Sequence, residues 1–267
     1  MRRPDLLRRQ FPVFEQLAYL NSGTCGPLPA QALRAGADEA LAAAENGRTA
    51  AYFDRTRELA ETLRARYARV IGADARDVAL TLSTSDGLVR VLTGLRLQPG
   101  DEVLTATGEH PGLLGPLAQA QRLLGIRART APLASLADAV SAQTRLVACS
   151  HVAWVDGAVA PAALAELDVP VLLDGAQGAG AIPVDVGALG CCAYAASGQK
   201  WLCGPVGHGL LWIAPEWRSR IPRLAPTFAN LAAPNAGLDA VVWDDGRAYD
   251  AGTFSTQTLA AAAAAAG

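Results

Sequence analysis

The sequence has 267 residues, of which 51% are hydrophobic and 18% charged, and its formal net charge is −2. This composition is that of a globular chain long enough for one large domain. It argues against a nucleic-acid partner, because 25 acidic residues offset the 23 basic ones and no basic stripe runs along the chain.

The cysteines and the amino terminus indicate a cytoplasmic protein. Five cysteines are an odd number, which favours a reducing compartment over a disulfide framework. Their spacing does not match a zinc site, so no metal is expected. The first twenty residues carry charge throughout, unlike a secretory signal, and no apolar run reaches the roughly 18 residues of a membrane span. We therefore expect no membrane partner.

Helical and strand patterns alternate along the chain. Residues 31–72 are rich in Ala, Leu, Glu and Arg and predict helix with a weak point at Asn46-Gly47, and further helices are predicted at 87–97 and 113–125. Short apolar runs predict strands at 77–82, 102–106, 144–149, 169–173, 192–196 and 209–213. Several runs are apolar on both faces. The pattern predicts an α/β fold with a mostly parallel central sheet flanked by helices.

In open parallel sheets, ligands bind beyond the carboxyl ends of the strands, so the residues after each apolar run are candidates for a site. Ser83-Thr84-Ser85-Asp86-Gly87 follows the first run and places hydroxyls at a helix amino terminus. Such hydroxyls form an anion site or simply cap the helix, and the segment alone does not decide between the two. His110 follows the next run and brings an imidazole to the same edge.

The later strands are followed by groups of a different kind. Asp174 and Gln177 come after the run 169–173, and a carboxylate that leaves an apolar strand needs a partner because burying it unpaired is costly. Ser197 and Lys200 come after the run 192–196. Lys200 is the sole lysine of the chain, against 22 arginines. Arginine cannot attack a carbonyl, whereas a desolvated lysine can form a Schiff base.

This set is what pyridoxal 5'-phosphate (PLP) requires of a protein: a lysine, an acid for the pyridine nitrogen, a phosphate cup and a cover for the ring. The chain resembles the class V aminotransferase family of PLP-dependent enzymes, which includes cysteine desulfurases and isopenicillin-N-epimerase-like proteins. The resemblance implies the large domain of PLP-dependent transferase fold type I. The segments that carry the resemblance are, in chain order, Tyr19-Leu20-Asn21-Ser22-Gly23-Thr24, Glu109-His110-Pro111-Gly112, Ser150-His151-Val152, Asp174-Gly175-Ala176-Gln177, Ser197-Gly198-Gln199-Lys200-Trp201 and Ala251-Gly252-Thr253.

The resemblance also implies roles for single residues. Lys200 would hold PLP as a Schiff base and then move the α-proton of the substrate. Asp174 would pair with the pyridine nitrogen, and His110 would stack on the ring. Gln177 would donate a hydrogen bond to the phenolic oxygen of the ring. The phosphate would be held by Thr84, Ser85, Ser197 and Gln199.

A homodimer with a shared active site is implied by Thr253, because Gly252-Thr253 resembles the family element that reaches the phosphate of the neighbouring subunit. Without the other motifs, the same segment is best interpreted as a plain turn. The implied partner is otherwise an amino-acid substrate. The resemblance gives four candidates for lining the substrate side, which are Asn21, Thr24, His151 and Trp154.

Three sequence features bear on the reaction. Trp154 stands where desulfurases usually have an asparagine, which favours the epimerase-like and lyase-like branches. None of the five cysteines stands on the carboxyl-terminal loop from which desulfurases accept sulfur. The glycines of 175–180 resemble a nucleotide-binding loop, but they trail the Asp-Gly-Ala-Gln turn instead of opening a helix after the first strand, which argues against an oxidoreductase.

The sequence ends in Leu259, seven alanines and Gly267, where family members continue through a helix into a small carboxyl-terminal domain. Alanine favours helix, so the tail is predicted to begin that helix. We expect an N-terminal segment (1–20), a PLP-binding large domain (21–235) and the glycine-threonine element with the start of the helix (236–267). Two hypotheses follow: an enzyme that acts on an amino acid by transamination, carbon-sulfur lysis or desulfuration, or epimerisation, and a catalytically incomplete PLP-binding fragment or pseudoenzyme.

Overall fold

The computed structural model describes residues 3–223 and 226–267 and contains one seven-stranded sheet with helices on both faces. The helices are α1 (Arg3–Arg8), α2 (Ala30–Asn46), α3 (Ala50–Ile71), α4 (Thr84–Gly94), α5 (Pro111–Leu124) and α6 (Thr256–Ala265). The strands are β1 (Val78–Thr81), β2 (Glu102–Ala106), β3 (Arg127–Ala131), β4 (Thr144–Ser150), β5 (Val171–Asp174), β6 (Ala193–Ser197) and β7 (Gly209–Ile213). Within these residues, none of the helices has the length and apolarity that a bilayer crossing requires.

The strand order is β1-β7-β6-β5-β4-β2-β3. Strand β7 runs antiparallel to both of its neighbours, β1 and β6, whereas the remaining neighbouring pairs are parallel. Strands β1 to β6 therefore point in one direction, and the prediction of a mostly parallel sheet is confirmed. From β2 the chain continues to β3 on one side and then returns to β4 on the other, so a topological switch point lies between β2 and β4.

All six predicted strands are present with bounds that shift by no more than two residues. The predicted helix 31–72 is divided at Gly47, between α2 and α3, where the sequence placed its weak point. Strand β3 was missed. Its sequence, Arg-Ala-Arg-Thr-Ala, has no apolar run because β3 is an edge strand that pairs with β2 alone and leaves most of its side chains partly exposed.

Each face of the sheet is covered by apolar side chains from different helices. On one face, Leu88 of α4 and Leu113 of α5 are buried. On the other, Tyr67 of α3 and Leu259 of α6 are buried in the same cluster. The alanine-rich tail forms the predicted helix, and its small side chains let α6 approach α2 so closely that a Cβ on Gly36 would lie 3.2 Å from the carbonyl oxygen of Gln257. The domain boundaries after residues 20 and 235 stay predictions.

A buried ion pair attaches the segment before α6 to the first strand. The guanidinium of Arg64 donates to both carboxylate oxygens of Asp250 at 3.0 and 2.9 Å, and Arg64 is 2% exposed. The same carboxylate accepts the backbone N–H of Leu80 at 2.7 Å, and the N–H of Ala251 donates to the Leu80 carbonyl at 2.8 Å. This geometry satisfies the charges in the low-dielectric interior, which a buried pair requires.

We expect Asp250→Ala to lower the free energy of unfolding by about 3–5 kcal/mol, because it leaves the Arg64 guanidinium buried and unpaired. The matched control is Arg57→Ala, which removes an exposed pair with Asp54 and should cost less than about 1 kcal/mol. Urea denaturation followed by circular dichroism measures both. Equal effects of the two substitutions would contradict the structural role given to the buried pair.

Candidate active site

The amino terminus of α4 lies against the end of β6. The backbone N–H of Thr84 donates to the Ser197 hydroxyl at 3.1 Å, and the two hydroxyls share a hydrogen bond of 2.7 Å. Gly87 allows this approach, since a Cβ there would lie 2.8 Å from the Ala195 Cβ of β6. Ser83 caps α4 by accepting a backbone N–H of the first turn. The helix end therefore combines its own N–H groups with hydroxyls, as an anion site does.

His110 caps α5 and faces Trp154. Its Nδ1 accepts the backbone N–H of Gly112 at 2.9 Å, so the hydrogen of the neutral imidazole is on Nε2. The Trp154 ring meets the imidazole edge-on at 5.3 Å, and its Nε1 donates to the Gly108 carbonyl at 2.9 Å. The Ser85 hydroxyl donates to the carbonyl of Gly112, so Ser85 of α4 also contacts the first turn of α5. Burial, and then the charge of Lys200, lower the pKa of His110.

Asp174 is the last residue of β5, and its buried carboxylate can accept further hydrogen bonds. Its Oδ1 accepts the N–H of Ala176 at 2.9 Å, and within residues 3–223 and 226–267 no other group donates to its carboxylate. Burial raises the pKa of Asp174, and the charge of Lys200 opposes that rise. An unused acceptor on a buried carboxylate calls for a cationic donor.

Lys200 stands in the turn that follows β6. Its side chain is partly buried, and burial lowers the pKa of the amine while the charge of Asp174 opposes the shift. The carbonyl of Lys200 accepts the N–H of Cys203 at 3.1 Å, and the Gln199 carbonyl accepts the N–H of Gly26 at 2.7 Å. A Cβ on Gly26 would lie 2.1 Å from the Lys200 carbonyl oxygen. The segment around Gly26 is thus packed directly onto the lysine turn.

An imidazole fills the space beneath the same turn. His208 is buried and hydrogen-bonds through Nδ1 to the hydroxyl of Tyr67. A Cβ on Gly198 would lie 1.9 Å from its Cε1, and a Cβ on Gly204 would lie 2.7 Å from its Nε2. Burial lowers the pKa of His208 to about 4, so the ring is neutral at pH 7. The turn that carries Lys200 is therefore folded around a neutral ring.

Gln177 links the amino-terminal segment to the lysine turn. Its Nε2 donates to the Gly23 carbonyl at 2.8 Å, and its Oε1 accepts the Trp201 indole N–H at 2.7 Å. These bonds place Gln177 beside Lys200 in the fold. Its predicted donation to the phenolic oxygen of PLP stays a prediction.

The remaining predicted residues differ in accessibility. Asn21 and Thr24 are exposed. Trp154 is 49% exposed, whereas His151 is 3% exposed and bonds through Nδ1 to the Tyr194 hydroxyl at 3.1 Å. Thr253 is exposed, as an element that reaches another subunit would have to be. The structure thus gathers His110, Asp174, Lys200, Thr84 and Ser197 at one edge of the sheet.

Sequence reasoning missed several residues that shape the site. Glu109 stands beside His110 in the segment Glu109-His110-Pro111-Gly112, and sequence reasoning assigned it no role, although a carboxylate next to an apolar strand end is itself a signal. It accepts the Ser150 N–H at 2.7 Å and the Ser150 hydroxyl at 2.5 Å. Tyr67 and His208 meet across 141 residues of sequence, and nothing in the sequence signals that pairing.

The geometry fits PLP. The free oxygen of Asp174 suits a protonated ring nitrogen, and the amino terminus of α4 suits a phosphate. The side-chain oxygen of Gln199 is buried and has no partner in the described part of the chain, so its amide retains hydrogen-bonding capacity. The amine of Lys200, with its lowered pKa, could form a Schiff base with the aldehyde of PLP.

A mostly parallel sheet that carries these groups at its carboxyl edge is the large-domain architecture of PLP-dependent transferases of fold type I. The structure superimposes with a TM-score of 0.89 on a lysine-to-alanine variant of C-DES with glycine covalently linked to the PLP cofactor, at 30% identity over 97% of this chain and 72% of that one. It matches the complex of the cystine C-S lyase C-DES with cysteine persulfide at a TM-score of 0.88, at 30% identity over 96% of this chain and 72% of that one. The family Aminotransferase class-V matches residues 18–267, and the chain belongs to this family.

Curated relatives within the family differ in their reactions. An isopenicillin N epimerase from Streptomyces clavuligerus is 33% identical over 80% of this chain and 56% of its own length. A probable cysteine desulfurase from Aeropyrum pernix is 37% identical over 54% of this chain and 39% of its own. The chain spans 39% to 60% of the length of the curated relatives it matches.

Because Lys200 is the sole lysine, amine-directed labelling followed by peptide mapping reports on it separately from the amino terminus. We expect its pKa to lie below the 10.5 of a free lysine, because burial disfavours the charged form. Asp174→Asn should lower the pKa further, since it removes the negative charge that stabilises the ammonium.

The measurement is the pH dependence of the labelling rate in the cofactor-free protein. Asp168→Asn, at an exposed position outside the strand-end set, is the matched control and should leave the Lys200 pKa unchanged. A Lys200 pKa that stays constant or rises in Asp174→Asn would contradict the coupling of the two groups.

Proposed function

We propose that this chain is the PLP-binding domain of an enzyme that acts on an amino acid, with Lys200 holding the cofactor as a Schiff base. The observation that carries the proposal is the placement of the sole lysine in the turn after β6, which pairs in parallel with β5, the strand that ends at Asp174. The family membership and the PLP-linked C-DES structure support it. Other scattered cations of the chain are arginines, which cannot perform this chemistry.

Each strand-end group has a part in holding the cofactor. The unused oxygen of Asp174 would accept the N–H of the pyridine ring, and a buried carboxylate keeps that nitrogen protonated. The first turn of α4, with Thr84 and Ser85, would bind the phosphate together with Ser197. His110 would cover one ring face, held there by its cap on α5.

PLP supplies an electron sink that stabilises negative charge at the substrate α-carbon. Lys200 then acts as the base for the α-proton: because its pKa is lowered, a larger fraction of the amine is neutral near pH 7 and able to accept a proton at Nζ. His110 keeps its one hydrogen on Nε2, since Nδ1 is occupied by Gly112.

The proposed substrate is an amino acid whose α-proton is removed, which is the step that transamination, carbon-sulfur lysis and epimerisation have in common. We favour the lyase or epimerase branch over desulfuration. Trp154 stands against His110 as a bulky wall at the exposed side of the site. Cys149, Cys191 and Cys192 lie in the core, where burial raises the pKa of each thiol and so disfavours the thiolate that sulfur transfer needs, whereas Cys25 and Cys203 are half-buried.

We further propose a homodimer in which Thr253 reaches the neighbouring subunit. Gly252, with φ of +147°, and the exposed Thr253 follow directly after Asp250, which the buried pair with Arg64 anchors to the sheet. The anchor fixes the base of this segment and leaves its tip accessible. Sedimentation velocity of Thr253→Ala beside the parent, with and without PLP, tests this arrangement; a monomeric parent that binds PLP fully would refute it.

Lys200→Ala and Lys200→Arg test the cofactor assignment. The parent incubated with PLP should gain a visible absorbance band, and borohydride should fix the label on the Lys200 peptide. Both variants should lose the band and the label, and turnover should fall by about 100-fold or more because the base is lost. Lys200→Arg retains the charge and controls for electrostatic effects on folding, which circular dichroism monitors. Unchanged turnover in Lys200→Ala would sink the proposal.

The reaction branch is tested on the PLP-loaded parent. With cystine, cysteine and simple aliphatic amino acids in D₂O, α-proton exchange detected by NMR should occur before any product forms, because Lys200 is placed for that step. Pyruvate from cystine or cysteine, or persulfide from cystine, would identify carbon-sulfur lysis, a 2-oxo acid that keeps the substrate side chain would identify transamination, and inversion would identify epimerisation. Cofactor binding with neither exchange nor product for any substrate would instead establish the alternative, a catalytically incomplete PLP-binding domain.

A further inference from the structure

The hydrogen-bonded ladder between β2 and β4 stops before either strand ends. Its last paired residues are Leu104 and Val147. Beyond them, β2 continues beside β3 to Ala106, and β4 continues beside β5 to Ser150. The two strands therefore part at the topological switch point, which is where open α/β sheets bind their ligands. Something other than the ladder must hold the two strand ends together.

The carboxylate of Glu109 closes this gap. Val147 donates its N–H to Pro170 on the β5 side, so the N–H of Ser150, three residues later, faces β2. No β2 carbonyl meets it there, and Glu109 accepts it at 2.7 Å and the Ser150 hydroxyl at 2.5 Å. Glu109 directly precedes His110, and the residue after Ser150 donates its N–H to the carbonyl of Asp174 at 2.8 Å. One side chain thus ties the imidazole loop to the strand ends that carry Ser150 and Asp174.

The charge of Glu109 also belongs to the site. The residue is 6% exposed, and Ser150 donates to both of its carboxylate oxygens. Burial raises the pKa of Glu109, and the charge of Asp174 acts in the same direction. The charge of Lys200 lowers the pKa of His110, whereas that of Glu109 raises it. The carboxylates of Glu109 and Asp174 therefore interact at this edge, and both charges favour a cation in the crevice.

We propose that Glu109 is a positioning residue of the cofactor site: it fixes His110 relative to the ends of β4 and β5, and its charge supports that of Asp174 toward a cationic ring. The role of Glu109 in cofactor binding rests on the proposed function. Its hydrogen bonds to Ser150, which hold the loop after β2 against the end of β4, do not depend on that function.

The chain offers a matched control at the opposite end of the same two strands. Glu102 begins β2, is also buried, and also bridges to β4, since it accepts the Thr144 hydroxyl at 2.6 Å. Its charge is neutralised by Arg129 at 2.8 Å, which lowers the pKa of Glu102 to about 2. Glu102→Gln therefore weakens a β2–β4 bridge of similar kind at the amino edge of the sheet, away from Lys200 and Asp174.

The experiment compares Glu109→Gln, Glu109→Ala and Glu102→Gln in the full chain. Hydrogen-deuterium exchange without cofactor reports on residues 107–110 and 150–152, and titration with PLP gives its Kd. Glutamine still accepts the Ser150 N–H and can donate to the Ser150 hydroxyl, so Glu109→Gln should exchange like the parent. Its Kd for PLP should rise about tenfold, the scale of one lost neighbouring charge. Glu109→Ala should exchange faster in both segments and bind PLP more weakly still.

Glu102→Gln should lower thermal stability but change neither the exchange of these segments nor the Kd for PLP. The proposal is overturned if Glu109→Ala leaves the exchange of residues 107–110 and 150–152 unchanged, if Glu109→Gln binds PLP as tightly as the parent, or if Glu102→Gln weakens PLP binding equally. A parent that fails to form the Lys200 adduct defeats the proposed function, whereas the exchange comparison without cofactor still decides whether Glu109 holds the strand ends.

Discussion

The shared direction of β1 to β6 is the constraint on which the rest of this structure depends. Parallel strands have their carboxyl ends at one edge, so residues that are far apart in sequence emerge side by side. Lys200, Asp174 and His110 follow three different strands, and each is placed by the end of its own strand. The antiparallel β7 does not disturb this edge, because β1 on its far side again points the same way as β6.

A long, flexible lysine side chain is useful for chemistry only if its backbone is fixed. Here the turn after β6 is packed from both sides: His208 lies beneath Gly198 and Gly204, and the chain at Gly26 lies against the Lys200 carbonyl. Any side chain at those glycines would collide with its neighbours. Burial of the side chain also lowers the pKa of the Lys200 amine.

The charge balance of the site explains why a cofactor suits it. Burying Asp174 and Glu109 is costly, because burial raises the pKa of each carboxyl group and the charge of Lys200 offsets only part of the rise at Asp174. A cationic group in the crevice would recover part of that cost on binding. The matched relatives carry the names of different reactions, an epimerase and a C-S lyase, so family membership by itself leaves the reaction of this chain open.

The sequence by itself determined the strands, the mostly parallel sheet and the strand-end groups, because continuous apolar runs and the polar residues after them are local signals. It missed β3, whose edge position removes the need for an apolar run. Only the tertiary structure decided that Glu109 closes the gap at Ser150, that His208 and Tyr67 support the lysine turn, and that β7 runs antiparallel. These features depend on contacts between distant segments, and no local pattern of residues encodes which distant groups will meet.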